Sequence, residues 1–195
     1  LDLDVDYIPD FKEYREPFIG GASVFIAAKN KFGCEDKKYI INDLYYETYN
    51  FWKTCQDNPK RLVEQILKFK NMFKGQYNEG RELFRYLSLN KFKFNDIEKA
   101  SSFFIVNRSS FSGMSKGFSD DAFKNRFTDS SINSLKQLLY SDIFKGVDIL
   151  NLDYQKIIEA EPTQGIKHGD VLIFNDPPYY TAKSSKLYGS NNNST

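Results

Sequence analysis

Hydrophobic and polar positions along the chain predict a βαβ unit near the N-terminus. Residues 13–18 predict a short strand that ends at Gly20-Gly21, and the small-residue run 22–28 predicts a helix. The apolar run 38–43 ends in an Asx pair, which is typical of a buried parallel strand and its carboxyl end. This stretch therefore predicts strand, glycine turn, helix and strand.

Helical spacing dominates the middle of the chain. Apolar positions recur at this spacing from residue 44 to residue 89, and Asn58-Pro59 predicts an N-cap followed by a proline at the first helical position. Further helices are predicted to begin at Asn95 and to span 129–140. Between them, residues 109–128 are rich in Ser, Gly, Asp and Lys, which predicts a loop insertion.

Strand character returns near the C-terminus. Residues 147–151 and 170–174 predict strands, and 154–159 predicts a short helix between them. The predicted order is β-α-β, helices, β-α-β, which favours one α/β fold unit with a helical insertion.

Composition excludes several classes of protein. With 41% hydrophobic and 27% charged residues, the 195-residue chain is an ordinary globular sequence. No apolar run approaches the about 20 residues that span a bilayer, and the first residues lack the layout of a signal peptide. Two cysteines, Cys34 and Cys55, and one histidine are too few for a disulfide framework or a usual zinc set. A cytoplasmic protein is predicted.

Charge is unevenly distributed along the sequence. Residues 56–126 contain 14 Lys and Arg against 8 Asp and Glu, whereas the remainder contains 13 against 18. A basic central segment suggests a surface that faces a polyanion, although solvated helix faces produce the same count.

The glycine turn and the end of the second strand predict a ligand site. Glycines between a strand and a helix let the backbone approach a ligand, and the helix N-terminus favours a carboxylate or phosphate. The Lys-Ser/Thr of a P-loop is absent, so ATP hydrolysis is disfavoured. Asp43 lies where an acidic side chain can accept hydrogen bonds from a ribose. Alternatively, Asn42-Asp43 caps the helix that follows, and both roles can coexist.

The run from Asn175 to Tyr180 is more informative. Consecutive prolines end ladder pairing and hold the Asp176 carboxylate at the carboxyl end of a strand. The exocyclic amine of a flipped base presents two N–H donors, which Asp176 and the Pro177 carbonyl can accept while Tyr179 stacks on the ring. A plain turn explains the prolines but not the acid before them and the tyrosine after them.

Together these motifs resemble the Dam-type, adenine-N6-specific DNA methyltransferases that place the glycine motif before the catalytic motif. The resemblance covers residues 13–188, with Ala22 in place of a third glycine and Ser112 in place of an asparagine. The matching segments are Glu16 to Phe25, Tyr39 to Asp43, Asn107 to Gly113, Leu150 to Tyr154 and Asp176 to Tyr179.

The resemblance implies methyl transfer from S-adenosyl-L-methionine to N6 of a flipped adenine in duplex DNA, without a metal. The implied catalytic residues are Asp176, Pro177, Pro178 and Tyr179. The implied cofactor-binding residues are Glu16, Pro17, Phe18, Ile19, Gly20, Gly21, Asp43, Leu44, Asp153 and Phe174. The expected DNA contacts are Lys91, Lys93, Asn107, Arg108, Lys116, Lys124 and Arg126.

The implied fold is a Rossmann-like methyltransferase sheet with an inserted, mostly helical DNA-recognition region. Residues 1–55 with 145–195 are expected to form the catalytic domain that binds S-adenosyl-L-methionine, and 56–144 the helical target-recognition region. The family's opening Gly-Gly-Lys segment and the strands beyond Asp-Pro-Pro-Tyr have no counterpart, so we expect an incomplete chain.

Other functions remain open at this point. One is a methyltransferase-like DNA-binding module without activity. Others are cytosine-N4 and protein-glutamine methyltransferases of the same fold, whose motifs read Ser-Pro-Pro-Tyr and Asn-Pro-Pro-Tyr, and Asn175 leaves a slipped register open. A restriction-endonuclease counterpart in a bacterial or phage-infected cell is compatible with the sequence, which implies no membrane and no stable protein partner.

Overall fold

A computed structural model describes residues 9–33, 35–111 and 117–178. In this part of the chain the strands are β1 (Glu13–Glu16), β2 (Lys38–Asn42), β3 (Val147–Leu150) and β4 (Val171–Ile173). The helices are α1 (Ser23–Phe32), α2 (Tyr46–Asp57), α3 (Pro59–Met72), α4 (Glu79–Asn90), α5 (Asp96–Ser109), α6 (Asp120–Arg126), α7 (Asp129–Leu139) and α8 (Tyr154–Ile158). Short 3-10 turns span Lys91–Lys93, Asp142–Phe144 and His168–Asp170.

The strands form one parallel sheet in the order β3-β2-β1-β4. The chain adds β2 and β3 on one side of β1 and then returns to place β4 on the other side. Parallel strands bring their carboxyl ends to one edge, and ligands of open α/β sheets bind there, where the strand order reverses. The Rossmann-like fold expected from the sequence is confirmed.

The chain divides into two compact units. One comprises Leu1–Tyr49 with Lys145–Thr195 and contains the sheet, and the other is the helical Asn50–Phe144. Trp52 and Cys55 are 6% and 1% exposed, so both belong to the buried core. None of the helices in the described ranges is long and apolar enough to cross a membrane. The functional division into a catalytic domain and a target-recognition region remains a prediction.

The central strand β1 is buried along its length although most of its side chains are polar. Glu13 and Arg15 alternate with Tyr14 and Glu16, so each pair lies on one face of the sheet. Arg15 and Glu13 are 2% and 0% exposed, and the Arg15 Nη2 lies 2.6 Å from the Glu13 Oε1. This ion pair is therefore shielded from water.

The ion pair attaches the segment after α8 to the sheet. The Thr163 N–H donates to the Glu13 Oε2 at 2.8 Å. Burial raises the pKa of Glu13, but hydrogen bonds from Thr163 and Arg15 outweigh it and hold the pKa below its ordinary value. The Arg15 guanidinium also donates to the carbonyls of Ile157, Ala160 and Glu161 at 2.8, 2.8 and 3.1 Å. Because this segment leads into β4, the pair helps to place β4 beside β1.

The prediction of a loop over 109–128 is wrong in part, because α6 forms within it. The Ser119 hydroxyl accepts a hydrogen bond from the Ala122 N–H at 3.2 Å, and Ala122 is buried. Acidic residues occupy the first turn of α6 and basic residues the last, which complements the helix dipole. A short, polar helix of this kind has the composition of a loop.

Of the two N-caps predicted from the sequence, one forms and one does not. Asn95 forms the predicted N-cap of α5 as part of a capping box with Glu98. Pro59 is the first residue of α3, but the Asn58 side chain makes no capping hydrogen bond. The strands are shorter than predicted, and Pro17 and Phe18 belong to the loop after β1.

We expect Arg15→Met to lower the free energy of unfolding by about 3–5 kcal/mol, because Glu13 would keep a buried charge without its cation. Urea unfolding followed by circular dichroism measures this loss. The double variant Glu13→Gln/Arg15→Met should recover part of it. An Arg15→Met protein as stable as the wild type would contradict a structural role for the pair.

Candidate active site at the carboxyl edge of the sheet

The glycine turn after β1 lies across the edge of the sheet. The Ile19 N–H donates to the Asn42 carbonyl at 2.8 Å, and the Ile19 side chain is buried, so this residue presents only its backbone to a ligand. Gly20 has a φ of 45°, in the left-handed region. A Cβ placed on Gly20 or Gly21 would meet no atom within 4 Å. Open space therefore borders the backbone of the turn.

Ala22, which replaces the third glycine, also adopts a left-handed conformation, with a φ of 59°. It is 1% exposed and occupies the N-cap position of α1. This conformation costs a non-glycine residue about 1–2 kcal/mol. The turn therefore keeps the backbone that glycine favours, although an alanine stands there.

Asp43 bonds the glycine turn and the residue just before α2, and only the second contact corresponds to the helix-capping role proposed from the sequence. Its Oδ2 accepts from the Gly20 N–H at 3.1 Å, and its Oδ1 accepts from the Tyr45 N–H at 2.9 Å, just before α2. Burial raises the pKa of Asp43, while the hydrogen bonds from Tyr45 and Gly20 oppose that shift. One carboxylate thus joins the glycine turn to the start of α2. Its contact with a ribose remains a prediction.

Asn42 is a site residue that the sequence reasoning missed, because it was considered only as a helix cap. It is 0% exposed. Its Nδ2 donates to the carbonyls of Pro17 and Leu152 at 3.0 and 2.9 Å, and its Oδ1 accepts from the Leu152 N–H at 2.8 Å. Nearby, the Asn151 Nδ2 donates to the Asp43 carbonyl at 2.7 Å. Side-chain amides therefore hold the loops after β1, β2 and β3 together.

Glu16 links the end of β1 to α1 and to the catalytic motif. It is 2% exposed, accepts from the Tyr14 hydroxyl at 2.5 Å, and accepts from the Phe25 N–H in the first turn of α1. Burial, and then the negative charge of Asp176, raise the pKa of Glu16 to about 7. Burial and the Glu16 carboxylate raise the pKa of Tyr14, which keeps its hydroxyl a donor. Asp176 thus lies close enough to the glycine-motif strand to influence Glu16.

The catalytic motif follows β4 at the same edge. The Phe174 N–H donates to the Arg15 carbonyl at 2.9 Å, which extends the pairing of β4 with β1 by one bond. The residues from Asn175 to Pro178 are exposed. Tyr179 lies outside the described residues.

Apolar side chains border the edge beside Asp43. Leu44 is 55% exposed, and the half-buried Phe18 ring lies 5.3 Å from the ring of Tyr154. Asp153, predicted to contact the cofactor, caps α8 by accepting from the Gln155 N–H at 2.9 Å. Its contact with a cofactor remains a prediction.

Two of the expected DNA contacts, Arg108 and Arg126, lie close together in the helical unit. The Arg108 guanidinium lies 4.8 Å from the centre of the Phe104 ring. Burial, and then the charge of Arg126, lower the pKa of Arg108. Arg126 donates to the Ser110 carbonyl. Two guanidinium groups thus share one region, which favours an anionic ligand.

The other expected DNA contacts are more dispersed. Lys91 and Lys93 are exposed in the 3-10 turn after α4, Asn107 is half-buried on α5, and Lys124 is exposed on α6. Lys116 lies outside the described residues. A cavity of about 260 Å³ between α3 and the start of α5 contains none of the predicted site residues.

A parallel sheet with a glycine turn after β1, an acid after β2 and Asp-Pro-Pro after β4 is the arrangement of a Rossmann-like methyltransferase fold. A sequence model of the D12 class N6 adenine-specific DNA methyltransferase family matches residues 5–195, and the chain belongs to that family. The Dam-type resemblance found in the motifs is confirmed.

Two similar proteins indicate what the relatives do. A type II methyltransferase, M.MjaIII, of Methanocaldococcus jannaschii is 25% identical over 192 residues, which cover 93% of this chain and 63% of the relative. A DNA N-6-adenine-methyltransferase of Escherichia phage P1 is 29% identical over 177 residues, covering 89% of this chain and 21% of the relative. The chain thus spans less than two thirds of the length of either.

We expect Asn42→Asp to lower the free energy of unfolding by at least about 2 kcal/mol, because a buried carboxylate would face the carbonyls of Pro17 and Leu152. Asn151→Asp, at a more exposed amide, is the matched control and should lose less. Thermal unfolding of both variants measures the difference. Equal losses would contradict the linking role of Asn42.

We expect ionisation of Glu16 to weaken the fold as the pH rises. Its pKa is raised from 4.5 to about 7, so between these values the folded protein holds a proton that the unfolded chain has released. The stability that this proton provides is present below pH 4.5 and is lost as the pH rises through 7. The free energy of unfolding of the wild type, minus that of Glu16→Gln, should fall by about 3 kcal/mol over this range.

Urea unfolding at a series of pH values measures that difference. Tyr14→Phe serves as a second variant, because losing the hydroxyl donor should move the transition of Glu16 to higher pH. A difference between wild type and Glu16→Gln that stays constant with pH would contradict the raised pKa.

Proposed function

We propose that the chain transfers a methyl group from S-adenosyl-L-methionine to N6 of an adenine flipped out of duplex DNA. The observation that carries the proposal is the pairing of the parallel neighbours β1 and β4, which brings the glycine turn after β1 and Asp176 after β4 to the same edge of the sheet. Membership of the adenine-specific family supports adenine as the target base. Asp176, rather than Asn175, directly precedes the two prolines, which favours adenine over protein glutamine.

The residues along this edge suit S-adenosyl-L-methionine. The cofactor supplies, when bound, an electrophilic methyl group on a sulfonium. The open space beside Gly20 and Gly21 admits a ligand to the backbone of the turn. Asp43 uses one lone pair of each oxygen for Gly20 and Tyr45, so it retains acceptor capacity for ribose hydroxyls. Leu44, Asp153 and Phe174 would surround the adenine of the cofactor.

Asp176 would orient the target base. The N6 lone pair of adenine is delocalised into the ring, so the free amine is a poor nucleophile. Hydrogen bonds from its two N–H groups to the Asp176 carboxylate and the Pro177 carbonyl would favour a pyramidal nitrogen and stabilise the charge that develops on it. The nitrogen releases a proton after it has been methylated. Pro177 and Pro178 restrict the backbone that presents these acceptors, and Tyr179 would stack on the base.

The helical unit would contact DNA. Extruding a base from the stack costs a few kcal/mol, which contacts to phosphates can offset. The adjacent guanidinium groups of Arg108 and Arg126 are suited to one phosphate, because an anion relieves their mutual repulsion. Lys91, Lys93 and Lys124 are exposed for further contacts. With DNA as the substrate, we propose that the reaction takes place in the cytoplasm of a bacterial or phage-infected cell.

We expect Asp176→Ala to lower kcat for methyl transfer by at least about 100-fold, because the base amine loses an oriented acceptor. The assay follows tritiated methyl transfer into duplex DNA, with the product mapped as N6-methyladenine. Asp148→Ala removes a half-exposed carboxylate on β3 that pairs with Lys38, and it should retain full activity. Cofactor affinity, measured by calorimetry, should be retained in both variants.

Other outcomes would point to other functions. An active Asp176→Ala enzyme would refute the proposed mechanism, and N4-methylcytosine as product would refute adenine as the target. DNA binding by the wild type without cofactor binding would favour a non-enzymatic DNA-binding module.

A further inference from the structure

Gly80 lies where α4 packs against α6, and no side chain would fit at its position. It is buried in the first turn of α4, on the same face of the helix as Leu83 and Leu87. A Cβ on Gly80 would lie 2.6 Å from Cδ1 and 2.8 Å from Cγ of the Phe123 ring on α6. Glycine weakens a helix, but here it admits a ring that alanine would exclude.

The Phe123 ring is connected to Arg108 by a row of aromatic contacts. The centre of the Phe123 ring lies 5.7 Å from that of Phe127, and the Phe127 ring lies 6.4 Å from Phe104. The Arg108 guanidinium lies over Phe104, 4.8 Å from the ring centre. Phe127 and Phe104 are both buried, so the row belongs to the core of the helical unit. The position of Phe123 is thereby linked to the ring that supports Arg108.

A second set of contacts connects Phe123 to Arg126. The Phe123 ring lies 6.0 Å from Phe118, which forms an isolated antiparallel bridge with Ser110. Arg126 lies on α6 with Phe123, and its guanidinium donates to the Ser110 carbonyl. Ser110 follows Arg108 by two residues. The helix α6 therefore carries Arg126 to the chain beside Arg108, and burial and then this nearby charge lower the pKa of Arg108.

Arg81, the residue after Gly80, adds a contact between α4 and the start of α6. Its guanidinium lies 5.3 Å from the centre of the Phe118 ring, and its Nη2 lies 3.4 Å from the Asp120 Oδ2. Both members of this ion pair are more than half exposed, so solvent screens their attraction. The Phe84 ring, one turn after Gly80, lies 5.7 Å from Phe118. Apolar packing at Gly80 and Phe84 therefore fixes the two helices more than the ion pair does.

We propose that Gly80 is a positioning residue for DNA contact, because it lets α6 pack against α4 where Arg126 reaches the same phosphate as Arg108. The inference rests on the proposed function for its ligand, duplex DNA, and adds a residue that acts without touching that ligand. Two guanidinium groups bind one phosphate most tightly when their separation is fixed before binding. A side chain at position 80 would push α6 away from α4 and move Arg126 away from Arg108.

Fluorescence anisotropy with a fluorescein-labelled duplex tests the proposal, using the full chain without cofactor. We expect Gly80→Ala to raise Kd by about 10- to 150-fold, the range for the loss of one charge-assisted hydrogen bond. Gly169→Ala is the matched control, because a Cβ there would meet no atom within 4 Å, and it should bind like wild type. Circular dichroism at the temperature of the binding measurement checks that each variant is folded.

Salt dependence shows whether a phosphate contact is lost. Arg126→Gln should reduce the slope of log Kd against log salt concentration by about 1, as expected for one cation that contacts a phosphate. Gly80→Ala should reduce the slope by the same amount, although it removes no charge. Adding Arg126→Gln to Gly80→Ala should then change Kd by less than about threefold. A merely structural loss would leave the slope unchanged and the effects of the two substitutions additive.

Removal of the Phe123 ring provides a second test, which applies even if Gly80→Ala does not fold. The atoms nearest to a Cβ at position 80 all belong to this ring, so Phe123→Ala removes the clash. Phe123→Ala should itself raise Kd and reduce the salt slope, because α6 loses its contact with α4. Adding Gly80→Ala to Phe123→Ala should change Kd by less than about threefold.

Four results would overturn the proposal. These are a folded Gly80→Ala protein that binds DNA like wild type, a salt slope that Gly80→Ala leaves unchanged, a Phe123→Ala protein that binds like wild type, and a wild type that does not bind the duplex. Methyl transfer measured in parallel separates the two proposals. Binding that depends on Gly80 without methylation by the wild type would refute the proposed function alone, whereas active methylation with unchanged Gly80→Ala binding would refute the positioning role alone.

Discussion

The ion pair between Glu13 and Arg15 governs where the candidate site forms. Removing two charges from water is costly, and a buried pair is sustained only when its remaining hydrogen-bonding groups have partners. Arg15 meets this condition with one carbonyl in the last turn of α8 and two that follow it, and Glu13 meets it with the N–H of Thr163. Those same contacts direct the chain into β4. The polar side chains of β1 therefore hold the segment that precedes β4. In this way they determine that Asp176, which follows β4, lies beside the end of β1.

The edge of the sheet repeats this principle on a smaller scale. In most loops the backbone N–H and C=O groups form hydrogen bonds with water. At this edge, side chains at the strand ends form hydrogen bonds with those groups instead. Asn42 serves the loops after β1 and β3, Asp43 serves the glycine turn, and Glu16 serves the first turn of α1. Each residue lies at or just past the end of a parallel strand. The sheet thus determines the arrangement of the backbone that a ligand would meet.

Local signals made the order of elements and much of the site predictable. The turn at Gly20, the bond of Asp43 with Tyr45 and the N-cap at Asn95 each involve residues a few positions apart, so spacing and residue type identify them. The contacts of Asn42 and Arg15 were not predictable, because their partners lie 110 and 142 residues away in sequence. The helix α6 was missed for another reason. It is short, and its composition is that of a polar loop.

The amide of Asn42 also has a thermal consequence. Because one buried side chain bonds two neighbouring loops, the opening of either loop leaves part of the Asn42 amide without its partner. The loops lose their conformational entropy when the protein folds. A ligand that binds afterwards would therefore have little further entropy to remove from them. Warming should then release both loops in a single cooperative step.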